Sequence, residues 1–72
     1  MTHIIQHGNP NLFLLNESTA VYFGAKDDFE PNDTVIIQDG RVETKYCLTT
    51  IYFQNKSFLK KDVVMLNLSL IV

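Results

Sequence analysis

The sequence predicts a mostly β domain: a small, bent antiparallel sheet or a partly open barrel, with at most one short helix. Three observations support this prediction. The segment from Val63 onward alternates apolar and other side chains with the two-residue period of a strand. Asp39-Gly40, a dipeptide typical of type I′ hairpin turns, separates two strand-like segments. At 72 residues, the chain is long enough for one domain and too short for two.

The first element is a short strand over residues 3–7 (His-Ile-Ile-Gln-His), which Gly8 terminates. Asn9 is a typical helix N-cap, and Pro10 suits the first helical position, where its missing N–H is not needed. Residues 11–16 are therefore either a short helix or a buried strand. The periodicity of four consecutive apolar residues does not distinguish the two.

Two further strands and a loop precede the predicted hairpin turn. Residues 19–23 are rich in β-branched and aromatic types and favour a strand. Residues 24–33 are polar and acidic and predict a loop. Residues 34–38 predict the strand that leads into Asp39-Gly40, and a longer strand follows from Arg41 to about Phe53.

The long strand has one face that changes character along its length. Near Cys47 this face turns from charged to apolar, as expected of a strand that leaves solvent and bends across a closed barrel. Its members are Arg41, Glu43, Lys45, Cys47, Thr49, Ile51 and Phe53, and the opposite face carries Val42, Thr44, Tyr46, Leu48, Thr50 and Tyr52.

Beyond the long strand, residues 55–57 predict a turn, and residues 58–62 a loop or one helical turn. The last strand then begins at Val63. Its apolar end at the chain terminus indicates that the strand is central in the sheet or that its outer face meets a partner. One of its faces carries Val64, Leu66, Leu68, Leu70 and Val72.

The charge balance excludes two classes of protein. A net charge of −2 is unlike that of a strongly basic nucleic-acid binder or a heavily acidic DNA mimic. The charge is nevertheless uneven: residues 1–39 carry one cation against six carboxylates, and residues 40–72 carry five cations against two. The second half is therefore predicted to present a modest positive face.

The single cysteine, Cys47, allows no internal disulfide, which points to a reducing cytoplasm. The N-terminal residues lack the basic and apolar regions of a signal peptide. The longest apolar runs, Leu12–Leu15 and Val63–Leu66, are far short of a membrane span. A domain this small without a disulfide must bury nearly every large side chain or share a face with another chain.

No metal, cofactor or catalytic group is predicted. The acidic stretch from Asp27 to Asp33 lacks the glycine and the closing glutamate of a calcium loop, so it is interpreted as a solvated loop. His3 and His7 share one side of a strand, but two histidines do not complete a zinc site, and they are expected to be exposed. Cys47, in mid-strand, is interpreted as a small hydrophobe.

Cations and aromatic residues are mixed in the second half, as in proteins that bind single-stranded nucleic acid. The alternation predicts that Tyr46 and Tyr52 share the face opposite Arg41 and Lys45. Buried tyrosines and solvated lysines are therefore the favoured interpretation. The full set comprises Arg41, Lys45, Tyr46, Tyr52, Lys56, Lys60 and Lys61.

Residues Val21–Ile37 combine a strand, a polar turn and a Phe-x-x-x-Asp segment that leads into another strand. Three further segments follow, Leu48–Phe53, Phe58–Lys60 and Val63–Leu68. Together, from about Leu12 onward, this pattern resembles the ASCH-like domains of the PUA-like superfamily. The resemblance implies a small PUA-like or SH3-like β-barrel, and RNA or modified nucleosides as ligands.

The residues of the family's ligand cleft are largely missing. Residues 16–24 contain neither its Gly-Lys pair nor its Glu-x-Arg motif. Thr19 matches the family's threonine position, and Asp33 matches the aspartate of its Gly-Asp pair. Asn32 replaces the glycine, which suits a turn because asparagine tolerates left-handed backbone.

Three functional hypotheses follow. The first is a non-catalytic binding module for RNA or another nucleic acid, with a cleft lined by Tyr22, Arg41, Lys45 and Lys56. The second is a protein–protein interaction module, such as a phage-type accessory or inhibitor protein. Its last strand would pair edge to edge with a host protein or with a second copy. Its interface residues would be Val63, Met65 and Ile71. The third is a degenerate ASCH-type hydrolase.

Overall fold

The computed structural model describes residues 1–24, 27–56 and 61–71, with residues 54–56 and 61 described by their backbone alone. The described residues form six strands and no helix, which confirms the predicted mostly β fold. The strands are β1 (Thr2–Gln6), β2 (Leu12–Asn16), β3 (Thr19–Phe23), β4 (Thr34–Asp39), β5 (Val42–Lys56) and β6 (Lys61–Leu70).

All six strands belong to one sheet in the order β1-β4-β5-β6-β3-β2. Ile5 of β1 and Ala20 of β3 belong to the same buried cluster although three strands separate β1 from β3, so the sheet curls around its core as a half-open barrel. β1 and β2 form its two edges. We call the side that faces the core the inner face and the opposite side the outer face.

The sheet is mixed, whereas an antiparallel sheet was expected. Four of the five pairings are antiparallel, but β1 runs parallel to β4, with Thr2 opposite Thr34 and Gln6 opposite Gln38. A parallel pair requires a long crossover connection. The β2–β3 hairpin and the following loop supply it, and the spacing of apolar residues in β1 carries no information about strand direction.

Residues 12–16, for which the sequence allowed either a short helix or a buried strand, form strand β2, but this strand is not buried. Asn9 forms a local turn, because its Oδ1 accepts a hydrogen bond from the N–H of Asn11 at 2.8 Å. β2 then pairs only with β3 among the described strands. Phe13 and Leu15 are 60% and 51% exposed.

The β4–β5 hairpin is confirmed, but its turn lies one residue later than predicted. Asp39 pairs with Val42, which leaves Gly40 and Arg41 as the central residues. Gly40 has φ of 60°, and a glycine with positive φ at the first central position is typical of a type II′ turn.

A bulge between Leu48 and Thr50 causes the change of face in β5. Before it, Tyr46 and Leu48 are buried in the core; after it, Ile51 packs against the core. Tyr46 is therefore a core residue, as predicted, but Tyr52 is 52% exposed. The expectation that both tyrosines share a buried face is wrong because the extra residue reverses the alternation.

β5 and β6 extend beyond their predicted limits. Asn55 and Lys56 pair with Asp62 and Lys61, so the predicted turn at 55–57 and the predicted loop at 58–62 are replaced by strand at these positions. Residues 57–60 lie outside the described part of the chain.

The core agrees with the predicted inner face of the last strand. Val64 and Leu66 are completely buried and Leu68 is 5% exposed. Leu70 is 63% exposed because β3 ends opposite Asn67 and no longer covers this end of β6. Val72 is outside the described residues.

Candidate functional site

The residues predicted to line a nucleic-acid cleft do not converge. Tyr22 lies on the inner face of β3, level with Phe53 of β5. Arg41 and Lys45 lie near the opposite end of β5, where both are exposed. The side chain of Lys56 is outside the described residues. The three described positions therefore do not form a shared surface, and RNA binding stays a prediction.

The predicted interface residues of β6 lie in a different setting from the one expected. From Val63 to Asn67, β6 is paired with β3 on one side and β5 on the other, so this segment has no free edge for strand addition. Ile71 follows the end of β6, and its N–H donates to the Lys45 carbonyl at 3.0 Å. Val63 and Met65 instead face outward, because Val64 and Leu66 beside them face the core.

An apolar row crosses the outer face of four strands. The register places Phe13 opposite Val21, Val21 opposite Met65, and Met65 opposite Tyr52. Cross-strand neighbours of this kind have Cβ atoms about 4.5–5.5 Å apart and form a continuous surface. Phe13 is 60% exposed and Tyr52 is 52% exposed, while Val21 and Met65 are half-buried.

Phe23 and Val63 form a second pair beside this row. Val63 is 8% exposed but does not belong to the main core cluster, which agrees with its place on the outer face. On the other side, the neighbouring row is polar and consists of Thr19, Asn67 and Thr50. We call the apolar set the outer apolar surface; it comprises Phe13, Val21, Phe23, Tyr52, Val63 and Met65.

A second notable cluster surrounds the buried carboxylate of Asp33. Its Oδ2 lies 2.8 Å from Nε2 of His3 and accepts a hydrogen bond from the N–H of Glu30 at 3.0 Å. Its Oδ1 lies 3.2 Å from the N-terminal ammonium of Met1. The cluster thus joins β1 to the loop before β4.

The position of His3 corrects the prediction of two exposed terminal histidines. The His3 side chain is only 16% exposed and packs against Phe29 with ring centroids 4.6 Å apart. His7 does lie at the surface, 59% exposed and 3.9 Å from Asp39. No local pattern distinguishes them, because the partner of His3 lies 30 residues away in the sequence.

Asn32 and Phe29 explain how the loop presents Asp33. Asn32 has φ of 73°, which confirms that it occupies a left-handed turn position. Phe29 is 6% exposed and meets Tyr22 edge to face at a centroid distance of 5.3 Å. This aromatic side chain anchors a loop that the sequence indicated to be simply polar and solvated.

A cleft of about 400 Å³ opens beside this cluster. Its described lining includes His3, Tyr22, Phe29, Asp27 and Asp28, and it contains no serine, threonine or cysteine side chain that a histidine could activate. The described residues also contain no group of three metal-ligating side chains. The observed role of the His3–Asp33 pair is to connect β1 with the loop that precedes β4.

The Asp33 cluster predicts a specific dependence of stability on pH. The hydrogen bond from His3, followed by that from the Glu30 N–H, lowers the pKa of Asp33 from 3.8 to about 2. A carboxylate with a lowered folded-state pKa stabilises the fold fully above its unfolded pKa. This stabilisation is lost as the pH falls through the folded value. We expect the thermal midpoint of the wild type to decrease between about pH 4 and about pH 2 more steeply than that of Asp33→Asn.

Circular dichroism melts across this pH range measure the effect. Asp39→Asn is the matched control, because the Asp39 side chain is 75% exposed, and it should retain the steep wild-type decrease. Equal slopes for the wild type and Asp33→Asn would show that the carboxylate does not stabilise the fold.

The described part of the chain contains no helix long and apolar enough to cross a membrane. The resemblance to ASCH-like domains stays a prediction, with Thr19 on the outer face of β3 and Asp33 in the cluster described above. No protein-family model, curated protein or solved structure matches the sequence or the fold.

Proposed function

We propose that the chain is a non-catalytic protein–protein interaction module that associates with a second copy of itself through the outer apolar surface. The observation that supports this function is the row from Phe13 to Tyr52, which runs without interruption across four strands. Two exposed aromatic rings at its ends and two half-buried aliphatic residues between them give the composition of an interface centre.

Burial energetics favour covering this surface. Removing a large apolar side chain from water contributes about 1.5–3 kcal/mol. Small domains without disulfides gain little from their own core, so a shared face adds a significant fraction of their total stability. Phe13 and Tyr52, which are 60% and 52% exposed, therefore lie where association stabilises the fold as well.

A second copy is the best-suited occupant because the surface carries no charge. The chain has a net charge of −2, so two copies repel each other weakly wherever their charged regions approach. At the outer apolar surface, every member is uncharged, and no carboxylate or cation is left unpaired when two such surfaces meet.

Sedimentation velocity over a range of concentrations tests this function. We expect the wild type to form a dimer. Tyr52→Ser should weaken it about tenfold or more, because Tyr52 is one of the two exposed aromatic rings of the surface and truncation of an aromatic hot spot costs about 2 kcal/mol or more. Val42→Ser is the matched control: Val42 is 64% exposed but lies outside the outer apolar surface, so the dimer should persist. A monomeric wild type, or equal effects of the two substitutions, would contradict the proposal.

A further inference from the structure

We infer that the cleft beside the Asp33 cluster binds the guanidinium group of an arginine side chain supplied by a partner protein. The cleft has a volume of about 400 Å³, which lies within the range of about 300–1,000 Å³ typical of small-ligand pockets. Its lining includes Ile5, a core residue, so it opens on the inner side of the sheet. The outer apolar surface lies on the opposite face, and the inference therefore goes beyond the proposed function.

Three aromatic rings form one wall of the cleft. Phe29 is 6% exposed and packs against His3 and Tyr22, with centroid distances of 4.6 and 5.3 Å. This mutual packing holds the three rings in place before a ligand arrives. Aromatic rings attract cations through their π faces, and the planar, weakly hydrated guanidinium also stacks on them.

The imidazole of His3 presents a hydrogen-bond acceptor at the cleft. Its Nε2 lies 2.8 Å from Oδ2 of Asp33, and because a carboxylate only accepts, Nε2 carries the hydrogen. In the neutral ring Nδ1 is then an acceptor. Nδ1 has no hydrogen-bond partner among the described residues, and none of their buried side-chain nitrogen or oxygen atoms lacks one. Nδ1 is therefore accessible to a donor that enters the cleft.

Carboxylates supply the complementary charge. Asp27 and Asp28 line the cleft, are exposed, and form no ion pair with another described residue. The N-terminal ammonium of Met1 also lies beside the cleft, but it is paired with Oδ1 of Asp33 at 3.2 Å. The cleft thus offers unpaired negative charge next to aromatic rings. A guanidinium fits this combination, because it is always charged and carries only N–H donors, which are spread around a plane.

The backbone of β1 indicates that the guanidinium comes from a protein segment. The Thr34 N–H donates to the Met1 carbonyl at 2.9 Å, and the His7 N–H donates to the Gln38 carbonyl at 2.6 Å. The odd-numbered residues of β1 therefore direct their N–H and C=O groups toward β4. Because this direction alternates along a strand, Ile4 directs both groups to the side on which β1 has no described neighbour. Ile4 also lines the cleft, so these groups can bind the peptide units that flank the arginine.

Titration with a short peptide tests the site. The probe is a pentapeptide of alanine with a central arginine, blocked at both ends, and the control peptide carries citrulline, which is neutral and nearly the same shape. In ¹⁵N-resolved NMR spectra at pH 8, the arginine peptide should shift the amide signals of His3, Ile4 and Phe29. It should bind about tenfold or more tightly than the citrulline peptide, because hydrogen bonds to charged groups are the stronger ones. Equal affinities, or shifts confined to other parts of the chain, would overturn the inference.

A smaller probe distinguishes the source of the guanidinium. N-acetyl-arginine methylamide has the same side chain but only one peptide unit on each side. We expect it to bind more weakly than the pentapeptide and to shift the Ile4 amide less. Equal binding of the two probes would contradict the assignment of a protein segment as the ligand.

Paired charge variants separate the local site from the overall charge of the protein. Asp27→Asn combined with Asp28→Asn should weaken binding of the arginine peptide about tenfold or more, because each substitution removes a charged acceptor from the cleft. Asp39→Asn combined with Glu43→Gln is the matched control, which removes the same charge from exposed positions outside the cleft. It should leave binding nearly unchanged. Equal effects of the two double variants, or no effect of the first, would contradict the site.

The outcome is independent of the dimer. The Asp27→Asn, Asp28→Asn variant should sediment as the wild type does, and Tyr52→Ser should bind the arginine peptide as the wild type does. A monomeric wild type that binds this peptide would remove the proposed function and leave the cleft. A dimer that discriminates neither arginine from citrulline nor the two double variants would have the opposite consequence.

Discussion

Leu66→Ala is expected to lower the free energy of unfolding by about 2–5 kcal/mol, the usual range for a leucine truncated in a well-packed core. Leu66 is completely buried at the middle of the sheet, with Ala20 of β3 on one side and Ile51 of β5 on the other. Because both neighbouring strands are held by their own ladders, the surrounding side chains can close the cavity only in part.

The effect is large relative to the stability of the whole chain. Native domains have a free energy of unfolding of about 0.05–0.15 kcal/mol per residue, which gives about 4–11 kcal/mol for 72 residues. Urea titration followed by circular dichroism gives the difference, and Leu70→Ala provides the matched control on the same strand. Leu70 is 63% exposed, so its truncation should cost less than about 1 kcal/mol. Similar losses for the two variants would contradict the assignment of β6 to the centre of the sheet.

Phe29→Ala is expected to lower the free energy of unfolding by about 3–5 kcal/mol, which is the usual range when a buried phenylalanine is truncated to alanine. The ring of Phe29 packs between His3 of β1 and Tyr22 of β3, so it connects an edge strand with the opposite half of the curled sheet. Its removal leaves a cavity. It also removes the ring that packs against His3 and holds the imidazole in position to hydrogen-bond Asp33. We therefore expect a loss of protection at β1 in addition to the loss of global stability.

Urea titration and amide exchange together measure both effects. Phe53→Ala is the control, because Phe53 is 55% exposed and its truncation should be close to neutral. If Phe29→Ala resembles Phe53→Ala in stability and leaves exchange at Ile4 and Ile5 unchanged, the loop does not anchor β1.

The elements that the sequence predicted well are those whose side chains repeat locally. β3 was predicted with its observed limits, and β4 and β6 were recognised from β-branched content and alternation. The same alternation identified Val64, Leu66 and Leu68 as core residues. These features depend on neighbours along the chain, so no knowledge of distant contacts was needed.

The elements that were mispredicted depend on distant partners. The bulge near Thr49 exposes Tyr52 because β5 must match β6 on both sides of it. His3 is enclosed because Asp33 and Phe29 come to it from another part of the chain. Of the residues predicted to form an interface, Val63 and Met65 face outward and belong to the outer apolar surface. This surface combines residues of four strands, so the sequence of one strand does not indicate it.

The sequence by itself determined strands β1, β3 and β4, the hairpin between β4 and β5, the left-handed position at Asn32 and the inner face of β6, because turn chemistry and two-residue periodicity are local properties. The tertiary structure decided the strand order, the parallel docking of β1, and the placement of β2 at an open edge. Two-residue periodicity shows which face of a strand is buried, but it is the same whichever strand lies beside it. The partner of each strand is therefore selected by burial over the whole sheet, which only the tertiary structure shows.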